Sequence, residues 1–204
     1  MSKRLGIVFG ILLTIAMGLL VWRASGPREP VFEGRTLTSW LDHHVASSAA
    51  IPPYNSPGWK KADEALRTIG SNGVPTLLKM IRAKDPPPVV LKVLQLAGRH
   101  RLTRVHYRYA FPRNEEAEYA FEVLGTNAVG AVPELIKIYE EDLSPSSQRC
   151  AALALGHIGH AVRNTRVHLP GPGVQEALPA LIRRFTHTNS DVRFYAVSAA
   201  RAAT

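Results

Sequence analysis

Trp59-Lys-Lys-Ala-Asp-Glu-Ala-Leu-Arg-Thr-Ile-Gly70, followed by Ser71-Asn-Gly-Val-Pro75-Thr-Leu-Leu-Lys-Met-Ile81, decides the fold. Spacings of three and four put Trp59, Ala62, Leu66 and Ile69 on one face of a helix, and Gly70 stops it. Pro75 then sits in the first turn of a second helix, whose inner face carries Leu77, Leu78 and Ile81. The expectation is a pair of short antiparallel helices, each with one apolar face to cover.

The pair recurs along the chain. Glu118-Tyr-Ala-Phe-Glu-Val-Leu-Gly125 and then Thr126 to Tyr139, with Pro133 at the second helix start, form another copy. Cys150-Ala-Ala-Leu-Ala-Leu-Gly156-His-Ile-Gly159, with its second helix Ala177-Leu-Pro-Ala-Leu-Ile-Arg-Arg-Phe185, forms a third. Gly70, Gly125 and Gly156 read as equivalent stops, and the interval from Gly125 to Gly156 gives a bare period near 31 residues. A fourth copy opens at Asp191-Val-Arg-Phe-Tyr-Ala196 and runs to Thr204 as a single helix, with apolar residues on more than one side. That uncapped end would meet a partner, further repeats or a second copy of the chain. Insertions fall near 86–114, which opens with Pro86-Pro87-Pro88 and an apolar helix Val89–Ala97, and near 160–175, where Leu169-Pro-Gly-Pro-Gly173 is turn-rich.

Repetition with 46% apolar and only 7% aromatic residues points to an all-α chain of helical hairpins. Helix pairs of this period, with alanines at close-packing positions, resemble the HEAT-repeat family, and in particular the short HEAT-like repeats of phycobilisome lyase subunits. Asp191-Val192-Arg193 with Ala196 and Ala199 is similar to the family's first helix, and Ala154-Leu-Gly-His-Ile-Gly159 to the end of that helix. Arg201 stands where the last stop glycine would be. The resemblance covers about residues 57–204 and implies an α-solenoid, specific as to fold and unspecific as to activity; it carries over no catalytic residue. The whole layout is similar to membrane-anchored bacterial HEAT proteins.

The anchor is read from Leu5 to Trp22, eighteen residues without a charge behind Lys3-Arg4. As a helix they span about 27 Å, close to a hydrocarbon core of about 30 Å. Arg23 and Trp22 fit a small-residue cleavage site poorly, so an uncleaved single-pass anchor is expected over a signal peptide. The basic amino terminus would stay inside with the body extracytoplasmic. The expected organisation is an anchor at 1–24, a tether at 25–57 with a short helix capped by Thr38 or Ser39 and a Pro-rich loop from 46 to 57, and a repeat array at 58–204.

Lys and Arg outnumber Asp and Glu by 25 to 16, a surplus that favours anionic partners. It concentrates in Arg99-His-Arg101-Leu-Thr-Arg104-Val-His-Tyr-Arg108-Tyr-Ala-Phe-Pro-Arg113, where arginines alternate with aromatics and no acid occurs. Arg99, Arg101, Arg104, Arg108 and Arg113 are therefore candidate contacts to phospholipid headgroups or, less favoured, to nucleic acid. The competing expectation is structural, with Glu115, Glu116 and Glu118 pairing against them.

Catalysis is not expected. His157 and His160 have a spacing that fits one metal ion, yet no carboxylate lies near them in sequence, and surface or packing histidines are the expectation. The His-Glu pairs of HEAT-repeat hydroxylases do not occur in the chain. His43-His44 have no nucleophile or phosphate cradle beside them. Cys150 reads as a small core residue. No cofactor or metal is expected, and the leading expectation is a membrane-tethered scaffold for protein–protein interaction.

Overall fold

In the computed structural model, Thr14 and residues 29–48, 57–99, 109–141, 143–165, 177–188 and 190–203 are described. The expected anchor at residues 5–22 lies outside them, Thr14 apart; among the described residues no helix is long and apolar enough to cross a membrane. Among the described residues the protein is helical apart from one small hairpin and the connecting turns.

The hairpin replaces part of the expected tether. Strands β1 (Val31–Phe32) and β2 (Arg35–Thr36) pair antiparallel. Glu33 and Gly34 between them both take positive φ, the geometry of a tight turn whose twist matches the strands. Helix α1 (Leu37–Ser48) follows directly. Its cap is neither Thr38 nor Ser39: Thr36 Oγ1 accepts the Ser39 N–H at 3.3 Å, and Glu29 accepts the Thr38 N–H at 2.7 Å. An anion from outside the helix thus occupies its positive end, a role that local spacing does not reveal. The helix also runs through 46–48, where a loop was expected. Trp40 docks onto the body, 2% exposed, and donates its indole N–H to Phe32 O at 3.0 Å.

Helix α2 (Pro57–Ile69) leads through a 3₁₀ turn (Gly70–Gly73) into α3 (Val74–Ile81), as the punctuation dictates. After helix α4 (Pro88–Arg99), the pattern returns as α5 (Ala110–Leu124), a 3₁₀ turn (Gly125–Ala131) and α6 (Val132–Glu140). Gly70 and Gly125 adopt φ of +56° and +51°, which is what lets each first helix end there. Helix α5 begins eight residues before the expected Glu118, so Arg113 belongs to a helix and not to the basic insertion.

Gly156 is no stop. Helix α7 runs unbroken from Pro145 to Thr165, with Gly156 and Gly159 buried inside it. Two helical glycines cost about 1 kcal/mol each relative to alanine. The burial of α7 against its neighbours outweighs that penalty, so the period near 31 residues is not marked by a chain reversal at this point. Residues 160–165 are therefore helix, and 166–176 lie outside the described residues. Helices α8 (Leu178–Arg183) and α9 (Ser190–Ala203) complete the chain.

Packing is sequential. Helix α5 lies on α2 and α3, α7 on α5 and α6, and α9 on α7 and α8, while α3, α6 and α8 touch in that order. The first helices approach through small residues, with Ala117, Ala120, Ala151, Ala154, Ala196 and Ala199 all buried. Phe121, Leu135, Ile138, Leu155 and Ile158 fill the space between. Asn114 of α5 is wholly buried among them. Its amide donates to the carbonyls of Met80 and Ile81, both at 2.8 Å, and of Ala83 at 3.3 Å, while its oxygen accepts from Ser146 at 2.9 Å. One side chain therefore ties the carbonyls at the end of α3, where Met80 O also accepts the Ala83 N–H, to the first turn of α7.

Candidate functional site

Helices α3, α6 and α8 begin alike: Pro75-Thr-Leu-Leu-Lys79, Pro133-Glu-Leu-Ile-Lys137 and Pro179-Ala-Leu-Ile-Arg183. The leucine of each copy is buried and the cation four residues after each proline is exposed. Three helices in contact thus present Lys79, Lys137 and Arg183 as equivalent positions on one face. Between them, Leu78 and Ile136 are half-buried and Ile182 is 55% exposed. Ion pairs tie the helices of this face together. Arg82 holds Glu134 and, at 2.9 Å, Glu141, and Arg183 holds Glu140. Arg184 lies over the buried Tyr139 ring at 6.0 Å. Burial pushes the Tyr139 hydroxyl up to about 12, which keeps it protonated. The repeated Pro-x-Leu-Leu/Ile-Lys/Arg run was present in the sequence and shows only when the copies are aligned on their prolines.

At the end of α3, a cavity of about 350 Å³ is lined by Lys84, Asp85, Phe111, Asn114, Ser146 and Arg149. Arg149 closes one wall. It lies between the rings of Phe111 and Tyr195, at 5.4 Å and 5.5 Å, and pairs with Glu115 at 2.7 Å. This arrangement crosses the starts of α5, α7 and α9, so Arg149 serves as a bridge between three successive first helices.

The candidate anion contacts separate. Arg101, Arg104 and Arg108 lie outside the described residues. Arg99 ends α4. Arg113 is half-buried on α5, beside Glu29, Thr38 and Lys79 in a cavity of about 180 Å³. The acids expected to neutralise the segment carry partners in the body. Glu115 holds Arg149 and Glu118 holds His157, while Glu116 is buried; Asp85, before the segment, accepts the Ala110 N–H at 2.8 Å.

His157 has a carboxylate after all, supplied from 39 residues away by α5. Its Nε2 meets Glu118 at 2.5 Å. Burial would lower its pKa, but the bond to Glu118 and the charges of Glu118 and Glu122 raise it above the usual 6.5. A folded value above the unfolded one means that the pair stabilises fully below about pH 6.5. That contribution is lost as pH rises through the folded value. The stability difference between the wild type and His157→Gln, measured by urea unfolding, is therefore expected to be larger at about pH 5.5 than at about pH 8.5. An equal difference at both would mean that the imidazole does not gain its charge in this contact.

His160 meets Arg163 and Asn164 and does not join His157 in a ligand set; among the described residues no group of three metal-ligating side chains comes together. Cys150 is fully buried, and burial pushes its thiol up to about 12 even with Arg149 beside it, so it stays a protonated packing group. Comparison with protein-family models, with curated proteins and with solved structures finds no match to this chain.

Proposed function

We propose that the chain is a membrane-tethered, HEAT-like α-solenoid scaffold that binds a protein partner along the face of α3, α6 and α8 and catalyses no reaction. The observation that carries this reading is the threefold repetition of an exposed cation at equivalent positions on touching helices, each next to an apolar residue that is half-buried in α3 and α6 and exposed in α8. Such a surface offers the same contact at regular intervals, as an extended partner requires, and its charge suits an acidic one. The tether is residues 5–22 as a single-pass anchor, with the body extracytoplasmic. Helix α9, whose Phe194 is 65% exposed, offers a second surface through which copies could associate.

The basic segment supports a second reading, an anion-binding module for phospholipid headgroups, with nucleic acid less favoured. What favours it is that Asp85, Glu115 and Glu118 are engaged in the body. Affinity purification of the crosslinked, detergent-solubilised full-length chain from its native cells separates the two. The scaffold reading expects one set of proteins with the wild type and with Arg101, Arg104 and Arg108 changed to Glu, lost with Lys79→Glu plus Lys137→Glu. Recovery of lipid or nucleic acid alone, lost with the arginine variant, would replace it by the second reading.

A further inference from the structure

Helix α4 stands out because none of its described side chains is buried. Its sequence is Pro88-Val-Val-Leu-Lys-Val-Leu-Gln-Leu-Ala-Gly-Arg99. At 100° per residue, Lys92, Gln95 and Arg99 share one narrow face, and the remaining arc is apolar apart from Gly98. Val89 is 72% exposed, Val90 44% and Leu96 58%. A surface helix of a globular body turns such an arc inward; here Val89, Val90 and Leu96 of the arc face outward.

Charge narrows what could cover it. From Pro86 to Asn114 the sequence holds Lys92 and five arginines and no acid. Lys92 has no ion-pair partner among the described residues, and the acids at either end, Asp85 and Glu115, are held by Ala110 N–H and Arg149. An apolar arc beside a polar face whose charges are all cationic is the composition of a helix that lies in a membrane interface. Position agrees with this. Glu29, the start of the continuous described chain, lines a cavity with Pro75, Thr76, Lys79, Met80 and Arg113, along α3, the helix that precedes α4. The seven residue steps from the end of the apolar run at Trp22 to Glu29 reach at most about 25 Å, so a bilayer entered by that run would lie near this side of the body.

We propose that α4 lies in the interface of an anionic membrane, with Val89, Val90 and Leu96 at the acyl-chain boundary and Lys92 at the headgroup phosphates. The inference rests on the anion-binding reading of the basic segment and adds to it an apolar insertion at a defined helix. Each Lys or Arg near such a surface strengthens the contact, and salt weakens it.

Depth-resolved fluorescence on the full-length chain in lipid nanodiscs tests it. A fluorophore is placed at Leu96→Cys in one variant and at Tyr109→Cys in another; the buried Cys150 thiol takes up little label. In nanodiscs containing phosphatidylglycerol, the Leu96 label is expected to shift to the blue and to be quenched by a nitroxide on the acyl chain. The Tyr109 label is expected to be quenched by a nitroxide on the headgroup. Both effects should be absent in pure phosphatidylcholine. Headgroup quenching at Tyr109 with a water-like Leu96 label would overturn the insertion and leave the anion reading standing. Water-like emission at both would overturn the two together. A blue shift at Leu96 without nitroxide quenching would assign the arc to a protein contact, and equal insertion into neutral lipid would overturn the anionic preference.

Discussion

Replacing Asn114 by leucine is expected to destabilise the protein by about 3 kcal/mol, read as a lower unfolding free energy in urea and a Tm reduced by about 9 °C. The loss follows from what the amide does. It is wholly buried, it donates to carbonyls at the end of α3, and it accepts from Ser146 in the first turn of α7. Leucine fills a similar volume, so little of the effect is a cavity; the cost is that of the amide's bonds to the end of α3 and to Ser146, with the Met80 carbonyl keeping only the Ala83 N–H at 3.1 Å. Ser146→Ala removes only one of these bonds and is expected to cost about 1 kcal/mol. If Asn114→Leu proved as mild as Ser146→Ala, the carbonyls would have found other donors, and the joint between α3, α5 and α7 would not depend on this residue.

Phe121→Ala is expected to cost about 3–5 kcal/mol. The side chain is fully buried on α5, the helix that packs on α2 and α3 on one side and on α7 on the other. In a sequential stack, a cavity at such a seam weakens the contact between neighbours as well as the helix that carries it. Phe121→Leu, which keeps most of the apolar volume, is expected to cost less than about 1.5 kcal/mol. The comparison is made by equilibrium urea unfolding of the two variants. A loss below about 1 kcal/mol for the alanine variant would show that α7 closes onto α5 without this ring.

The parts of the fold that were legible in the sequence are the local ones. Gly70 and Gly125 end helices because positive φ is cheap only for glycine, and Pro75, Pro133 and Pro179 open helices because the first turn needs no N–H. Gly156 misled because its fate is decided by distant partners: α5, α6 and α9 bury the helix that contains it. The start of α5 was hidden by the arginines, although Pro112 in its first turn is the same signal that marks the other helices. The cap of α1 lay seven residues before Thr36, in Glu29, and Glu118 lay 39 residues before His157; neither spacing carries a local signature. The face of α3, α6 and α8 was readable in principle, since its cations recur at a fixed offset from the prolines. What the sequence does not hold is the engagement of Asp85, Glu115 and Glu118 by the body.

Site-specific photo-crosslinking tests the central claim, that a partner protein docks on the face of the second helices, most directly. A photoreactive amino acid is placed at Lys137, at the centre of that face, and at Thr68 on the exposed side of α2 in a second variant, each in the full-length chain in its native cells. The account predicts a discrete protein adduct from position 137, lost when Lys79 and Arg183 are changed to Glu, and none from position 68. Adducts of the same mass and yield from both positions, or none from position 137 while position 68 reacts, would contradict it.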